Sequence, residues 1–245
     1  MTVSTVFPSS ALATKPTSTG SASTSTPVTV LPSASYSFDA LFNPTYGSTE
    51  NTGASAAVNF NFLQIGDKIQ LDVTLNNTTN GKAGLGATQA TLVGLAFDAP
   101  TLWDLSLKTP GGSFTKFWED VDLNPFGTFS YGISPDRNSF GGGNANTGIK
   151  VGDAAIKMSF DLKGTGLTAE TASKQFTDLF KSGTAQMATR FQQVNAGGGS
   201  DKVKGQLMIA EVPPPKKKVP EPALGVGLLT IATIAARKTL KQQKR

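Results

Sequence analysis

Glu119, Asp120 and Asp122 crowd together in the segment 118–127 (WEDVDLNPFG), in a chain that contains neither histidine nor cysteine. That absence removes the commonest general base, the commonest metal ligand, disulfides and thiolate sites together. Hydrolytic chemistry would then have to run through carboxylates. A glycosidase holds two of them across a sugar, and neighbouring aromatics such as Trp118 and Phe126 suit sugar rings. Such pairs come from separate parts of a fold, however, and adjacent residues of a strand face opposite ways. Calcium is the second chemistry open to this run. Asp120, Asp122 and Asn124 have the first three ligand spacings of a calcium loop, but Pro125 stands where glycine is required and Tyr131 where the bidentate glutamate is required. An irregular calcium site stays open, and so does a plain polar loop anchored by Trp118. No catalytic residue is assigned.

Other motifs say less. Gly197-Gly198-Gly199-Ser200 precedes Asp201-Lys202, but the phosphate-loop spacing is absent and no long helix follows, so a flexible loop is expected. Asn76 to Thr79 holds two overlapping N-x-T sequons, which outside a glycosylating secretory pathway are a polar tip. Serine chemistry without histidine would need a Ser–Lys pair, and no motif announces one.

The elements that must carry these residues are mostly strands. Ile69, Leu71, Val73 and Leu75 alternate with Lys68, Gln70, Asp72 and Thr74. Ile156, Met158, Phe160 and Leu162 alternate in the same way, as do Val58, Phe60 and Phe62. Period two with one apolar face predicts half-buried antiparallel sheet. Weaker runs cover 92–97, 101–107, 129–133, 189–194 and 203–209. Gly66-Asp67, Asn80-Gly81 and the glycines at 111–112 and 141–143 supply turns. One helix is expected after Thr168, with Ala172, Phe176, Leu179 and Phe180 at helical spacing and Gly183 at its end. Residues 36–210 therefore read as one mainly β domain, an antiparallel sandwich or jelly roll with one inserted helix set across an open end or edge.

Charge excludes one class of partner. The net charge is +5, but eight of the 22 cations and only one of the 17 acids follow Pro215. The body keeps 14 cations against 16 acids, so it is slightly acidic and carries no footprint for a phosphate backbone. No nucleic-acid partner is expected.

The two ends differ from the body. Residues 1–35 are about half serine and threonine, with four prolines, one cation and no acid, a composition of disordered leaders. They hold no basic n-region or apolar h-region, although Ala11-Leu12-Ala13 is shaped like a cleavage box. At the other end, 211–218 contains Pro213 to Pro215 followed by Lys216 to Lys218, a stiff spacer whose cations suit anionic headgroups. Then come Val219, Pro220, Glu221 and Pro222, an uncharged run from Ala223 to Ala236, and a basic end containing Arg237 and Lys238. Fourteen residues of helix reach about 21 Å, short of the roughly 30 Å hydrocarbon core. The run is apolar all round, so a short hydrophobic helix that enters the membrane is expected, with the cations as its stop.

This order closely resembles the C-terminal sorting signal of PEP-CTERM proteins, exported bacterial proteins processed by exosortase. Leu95 to Asp98, Arg190-Phe191-Gln192 and Gly198 to Val203 are also similar to the bodies of such proteins. The resemblance implies an export signal upstream of Met1 or already removed, and transient anchoring in the inner membrane through 219–245. It further implies an exosortase-type peptidase as partner and delivery to the cell surface or extracellular matrix. Two functions follow as expectations. One is a non-enzymatic structural or adhesive protein associated with exopolysaccharide. The other is a carbohydrate-binding module in which Trp103, Trp118 and Tyr131 line one face.

Overall fold

The structure is a computed structural model that describes residues 34–135, 140 and 145–208. The leader up to residue 33, the linker 211–218, the sorting motif Val219 to Pro222, the short hydrophobic helix and the stop residues Arg237 and Lys238 lie outside the described residues. Eleven strands follow in order: β1 (Ala34–Phe42), β2 (Ala56–Ile65), β3 (Lys68–Asn77), β4 (Thr91–Phe97), β5 (Asp104–Thr109), β6 (Lys116–Asp122), β7 (Thr128–Ser134), β8 (Ile149–Lys150), β9 (Ile156–Lys163), β10 (Met187–Gln192) and β11 (Ser200–Met208). The helix α1 (Ala169–Lys181) lies between β9 and β10.

All strand pairs are antiparallel, and ten strands form one path in the order β5-β9-β3-β2-β1-β11-β10-β4-β7-β6, with β8 attached to β4. The path coils until its two edges, β5 and β6, nearly meet. The mainly β domain with one inserted helix is as expected. Its strands run as one continuous sheet, and β11 makes this possible. Residues 200–204 of β11 pair with β10, while 205–208 pair with β1. One strand thus serves both halves.

The alternating strands behave as their pattern dictates. Phe60, Phe62, Leu71, Val73, Met158 and Phe160 are fully buried in a single core. Across the near-closed gap the core is aromatic: Phe117 stacks on Tyr131 at 5.2 Å between centroids and tilts against Phe160 at 5.1 Å. The helix begins at Thr168, whose hydroxyl accepts from Thr171 N–H, and Gly183 follows its C-cap at φ 72°. It drives Phe176 into the core against Phe60, Phe62 and Trp103. Three strands lie outside the sequence expectation, one of them the two-residue β8. Ser35, assigned to the leader, belongs to β1, which pairs along its whole length with β2. The acidic segment 118–122 lies largely in β6 rather than in a loop.

One end of the sheet is tied by three interlocked loops. Asp201, at the start of β11, is 1% exposed and has no cationic partner among the described residues. Its carboxylate instead accepts from six donors: the hydroxyls of Ser48, Thr49 and Thr52 and the backbone N–H groups of Thr49, Glu50 and Thr52. The loop so gathered locks onto the next one. Gly53 and Gly84 have positive φ, and a Cβ on either would stand 2.2 Å from a carbonyl oxygen of the other loop. Asn195 completes the set by accepting from Thr88 and Gln89 N–H with its side-chain oxygen. Burial acts to raise the Asp201 pKa, but the hydrogen bonds from Ser48, Thr52 and Glu50 outweigh it, and the carboxyl titrates below its ordinary value.

The stabilisation from Asp201 is therefore fully present above the ordinary carboxylate range and is lost as pH falls through its own lower pKa. Asp201→Asn should cost roughly 2–4 kcal/mol at neutral pH, because an amide turns a donor toward donors. It should also flatten the acid limb of a plot of melting temperature against pH. A variant as stable as the parent would show that the loops hold without the charge. Residues 34–208 alone should melt cooperatively with a β-type circular dichroism spectrum, since every described strand and the helix lie within them.

Candidate functional site: an acidic cleft at the seam

Where β5 and β6 face each other, the sheet is joined by side chains. Tyr131 Oη donates to the Trp103 carbonyl at 2.9 Å, linking β7 to the residue that precedes β5. Above this bond lies a cleft of about 420 Å³ whose wall carries Asp104 from one edge and Glu119 and Asp120 from the other, with Trp103, Ser130 and Tyr131 at its base. The topology therefore assembles what the linear run could not: carboxylates from separate parts of the fold across one opening.

The strand has to be deformed to do this. Asp120 sits at φ 50°, a conformation that aspartate tolerates better than most residues. It interrupts the β6–β7 ladder between the Glu119–Tyr131 and Val121–Phe129 pairs. Beyond it the strand turns over. Glu119 lines the cleft, while Val121 joins Phe129, Leu123, Ala96 and Ala188 in a second apolar cluster. Trp118 packs on that second cluster and donates its Nε1–H to the hydroxyl of Ser134, the last residue of β7, at 2.9 Å.

The three aromatic candidates do not share one exposed face. Trp103 and Tyr131 are buried in the main core, Trp103 stacked on Phe176 at 6.0 Å and donating to Gln175 Oε1. Trp118 belongs to the other cluster. Alternation alone would place Glu119 and Val121 on one face. The left-handed residue between them is what separates them, and nothing in the local pattern announces it. The calcium candidates part similarly: Asp120 lines the cleft, while Asp122 accepts from the Asn124 amide at 3.0 Å. Among the described residues no group of three or more acidic side chains is placed to hold a metal ion.

Electrostatically the cleft is negative. Burial raises the Tyr131 pKa, a backbone hydrogen bond at Leu105 opposes this, and Glu119, Asp104 and Asp120 add to the rise, so the phenol stays neutral beyond its ordinary range. The three carboxylates are themselves exposed. Sequence reading missed Asp104 and Ser130, because only the closing of the sheet brings them to Glu119. It also missed Asn77, the second sequon asparagine. Asn77 is buried, and its amide donates to the carbonyls of Ala90 and Ile149 at 2.9 Å each, so it is a structural pin. A scan of protein-family models and searches of curated proteins and solved structures find no match to this chain.

Two measurements check this geometry. Glu119→Gln should move the Tyr131 ultraviolet titration only slightly toward its ordinary value, because burial is the larger cause. A shift all the way to the ordinary value would reverse that ranking. Asp120→Val should destabilise by roughly 1–3 kcal/mol through its left-handed backbone, whereas Asp120→Gly should not.

Proposed function

We propose that this chain is a non-enzymatic protein of the cell surface or extracellular matrix. An exosortase-type peptidase would deliver it through Val219, Pro220, Glu221 and Pro222, with Arg237 and Lys238 as the membrane stop. The observation that carries this reading is the fixed order of tripeptide, apolar run and basic end. The fold supports it in one respect. The last described strand ends at Met208, and ten residues, 209 to 218, separate it from Val219. Every described strand thus lies before the signal, so cleavage in the signal would leave the described sheet whole. In this role the two halves joined by β11 act as the two layers of a sandwich-like body, set in a matrix rich in exopolysaccharide.

The acidic cleft fits this reading better than a catalytic one. Asp104, Glu119 and Asp120 are all open to water. A glycosidase encloses its acid in apolar surroundings, and none of these three carboxylates is so enclosed. Glu119→Gln, Asp104→Asn and Asp120→Asn should each leave surface delivery unchanged, and the parent should release no sugar from native exopolysaccharide. Measured release that any one of them abolishes would overturn the structural reading. Delivery itself is checked by the mass of protein recovered from its native surface, which should lack the residues following the Pro-Glu-Pro region. Recovery of full-length protein ending in Arg245 would replace sorting with permanent anchoring.

A further inference from the structure

Another opening lies at the end of the sheet where β1 finishes. β1 runs toward this end and β11 runs away from it to Met208. A groove of about 280 Å³ sits beside the turn Pro44–Tyr46, and Leu41, Tyr46, Thr78, Asn80 and Lys82 line it with Asn43. Its floor is apolar and open: Leu41 is 38% exposed and Tyr46 is 37% exposed, and they are the two large apolar side chains that reach solvent there.

The donors around that floor are oriented in advance. Asn43 Oδ1 accepts from Thr45 N–H at 3.1 Å and from the Thr45 hydroxyl. Asn80 Oδ1 accepts from Lys82 N–H at 3.1 Å. A backbone N–H can only donate, so in both residues the oxygen is held inward and the NH2 group is left for another acceptor. No hydrogen bond among the described residues engages these NH2 groups, the Tyr46 hydroxyl or the Lys82 ammonium. Thr78 and Ser55 are bonded to each other at the back of the groove. One cation and no carboxylate stand among the lining residues.

We propose that this groove binds an acidic saccharide, a pyranose carrying a carboxylate. The C–H face of the ring would lie on Tyr46 and Leu41, its hydroxyls would accept from Asn43 and Asn80, and its carboxylate would pair with Lys82. An open aromatic ring flanked by fixed amide donors is complementary to a sugar, which is apolar on one face and rich in acceptors at its rim. The single positive charge selects the acidic form. The assignment rests on the surface and matrix reading, since that reading supplies a polysaccharide at this face, but its test does not require delivery.

The test is titration calorimetry on the full chain with an oligogalacturonate and, in parallel, with a neutral cello-oligosaccharide of equal length. Saturable binding of the uronate that weakens with salt is expected, with little binding of the neutral chain. Tyr46→Ala should weaken it by roughly tenfold or more. Lys82→Gln should remove the preference for the uronate and the salt dependence. Asn80→Asp keeps the oxygen that accepts from Lys82 N–H and replaces the free donor with a negative charge. It should abolish binding at an unchanged melting temperature, which covers the case in which Tyr46→Ala fails to fold. Absence of saturable binding, or binding that survives both Asn80→Asp and Tyr46→Ala, overturns the site. Equal binding of the neutral chain, insensitive to Lys82→Gln, overturns its acidic specificity. Protein that reaches the surface but binds neither sugar leaves the delivery reading standing and removes only the groove.

Discussion

A single carboxylate with no cationic partner among the described residues organises one end of this protein. Asp201 begins β11, the strand that joins the two halves of the sheet, and it gathers residues 48–52 around itself by hydrogen bonds alone. A buried charge left unsatisfied would cost several kcal/mol, so the six donors are an obligation as much as a stabilisation. Once that loop is gathered, its backbone offers carbonyls to Leu85 and Ala87 N–H, and the two loops fit only because Gly53 and Gly84 lack Cβ atoms. The groove beside Tyr46 is a by-product of this order. Its floor residue Tyr46 closes a turn that leads directly into the segment held by Asp201.

The opposite end is governed by a different constraint. A sheet of ten strands that coils without completing its ladder leaves two edges, and exposed edges invite pairing with other chains. Here both edges are distorted. The β5–β9 register shifts between Leu107 and Thr109, and β6 is interrupted at Asp120. The gap is bridged by Phe117, Tyr131 and Phe160 on the inside and lined by carboxylates on the outside. An apolar interior and a negative rim together keep the seam from zipping onto a neighbour.

The strands with clean alternation were legible from sequence because burial on one face imposes period two directly. The helix was legible because Thr168, Phe176 and Gly183 each satisfy a local requirement. What stayed hidden depends on closure. Asp104 and Glu119 are 15 positions apart and mean nothing together until β5 and β6 are brought edge to edge. Period two puts Asp72 on the polar face of β3, and it does lie on the outer face. It is nonetheless 2% exposed, covered by Lys157 at 2.6 Å and by Ser159 and Gln70. Period two predicts the face but not what neighbouring strands lay over it. The affinity of aromatics for sugars suggests one shared face for Trp103 and Tyr131, but the core claims both.

β11 also has a mechanical meaning. It is flanked by β10 along 200–204 and by β1 along 205–208, and its first residues are bonded as well to Thr49 and Gly47. A pull applied at Met208 would run along the strand axis, so these backbone bonds would resist in shear, sharing the load rather than opening one after another. The tension would end at Asp201, where the hydrogen-bonded loop acts as the knot behind the rope. A body hauled from that end of β11 would give way only when many weak links failed at once.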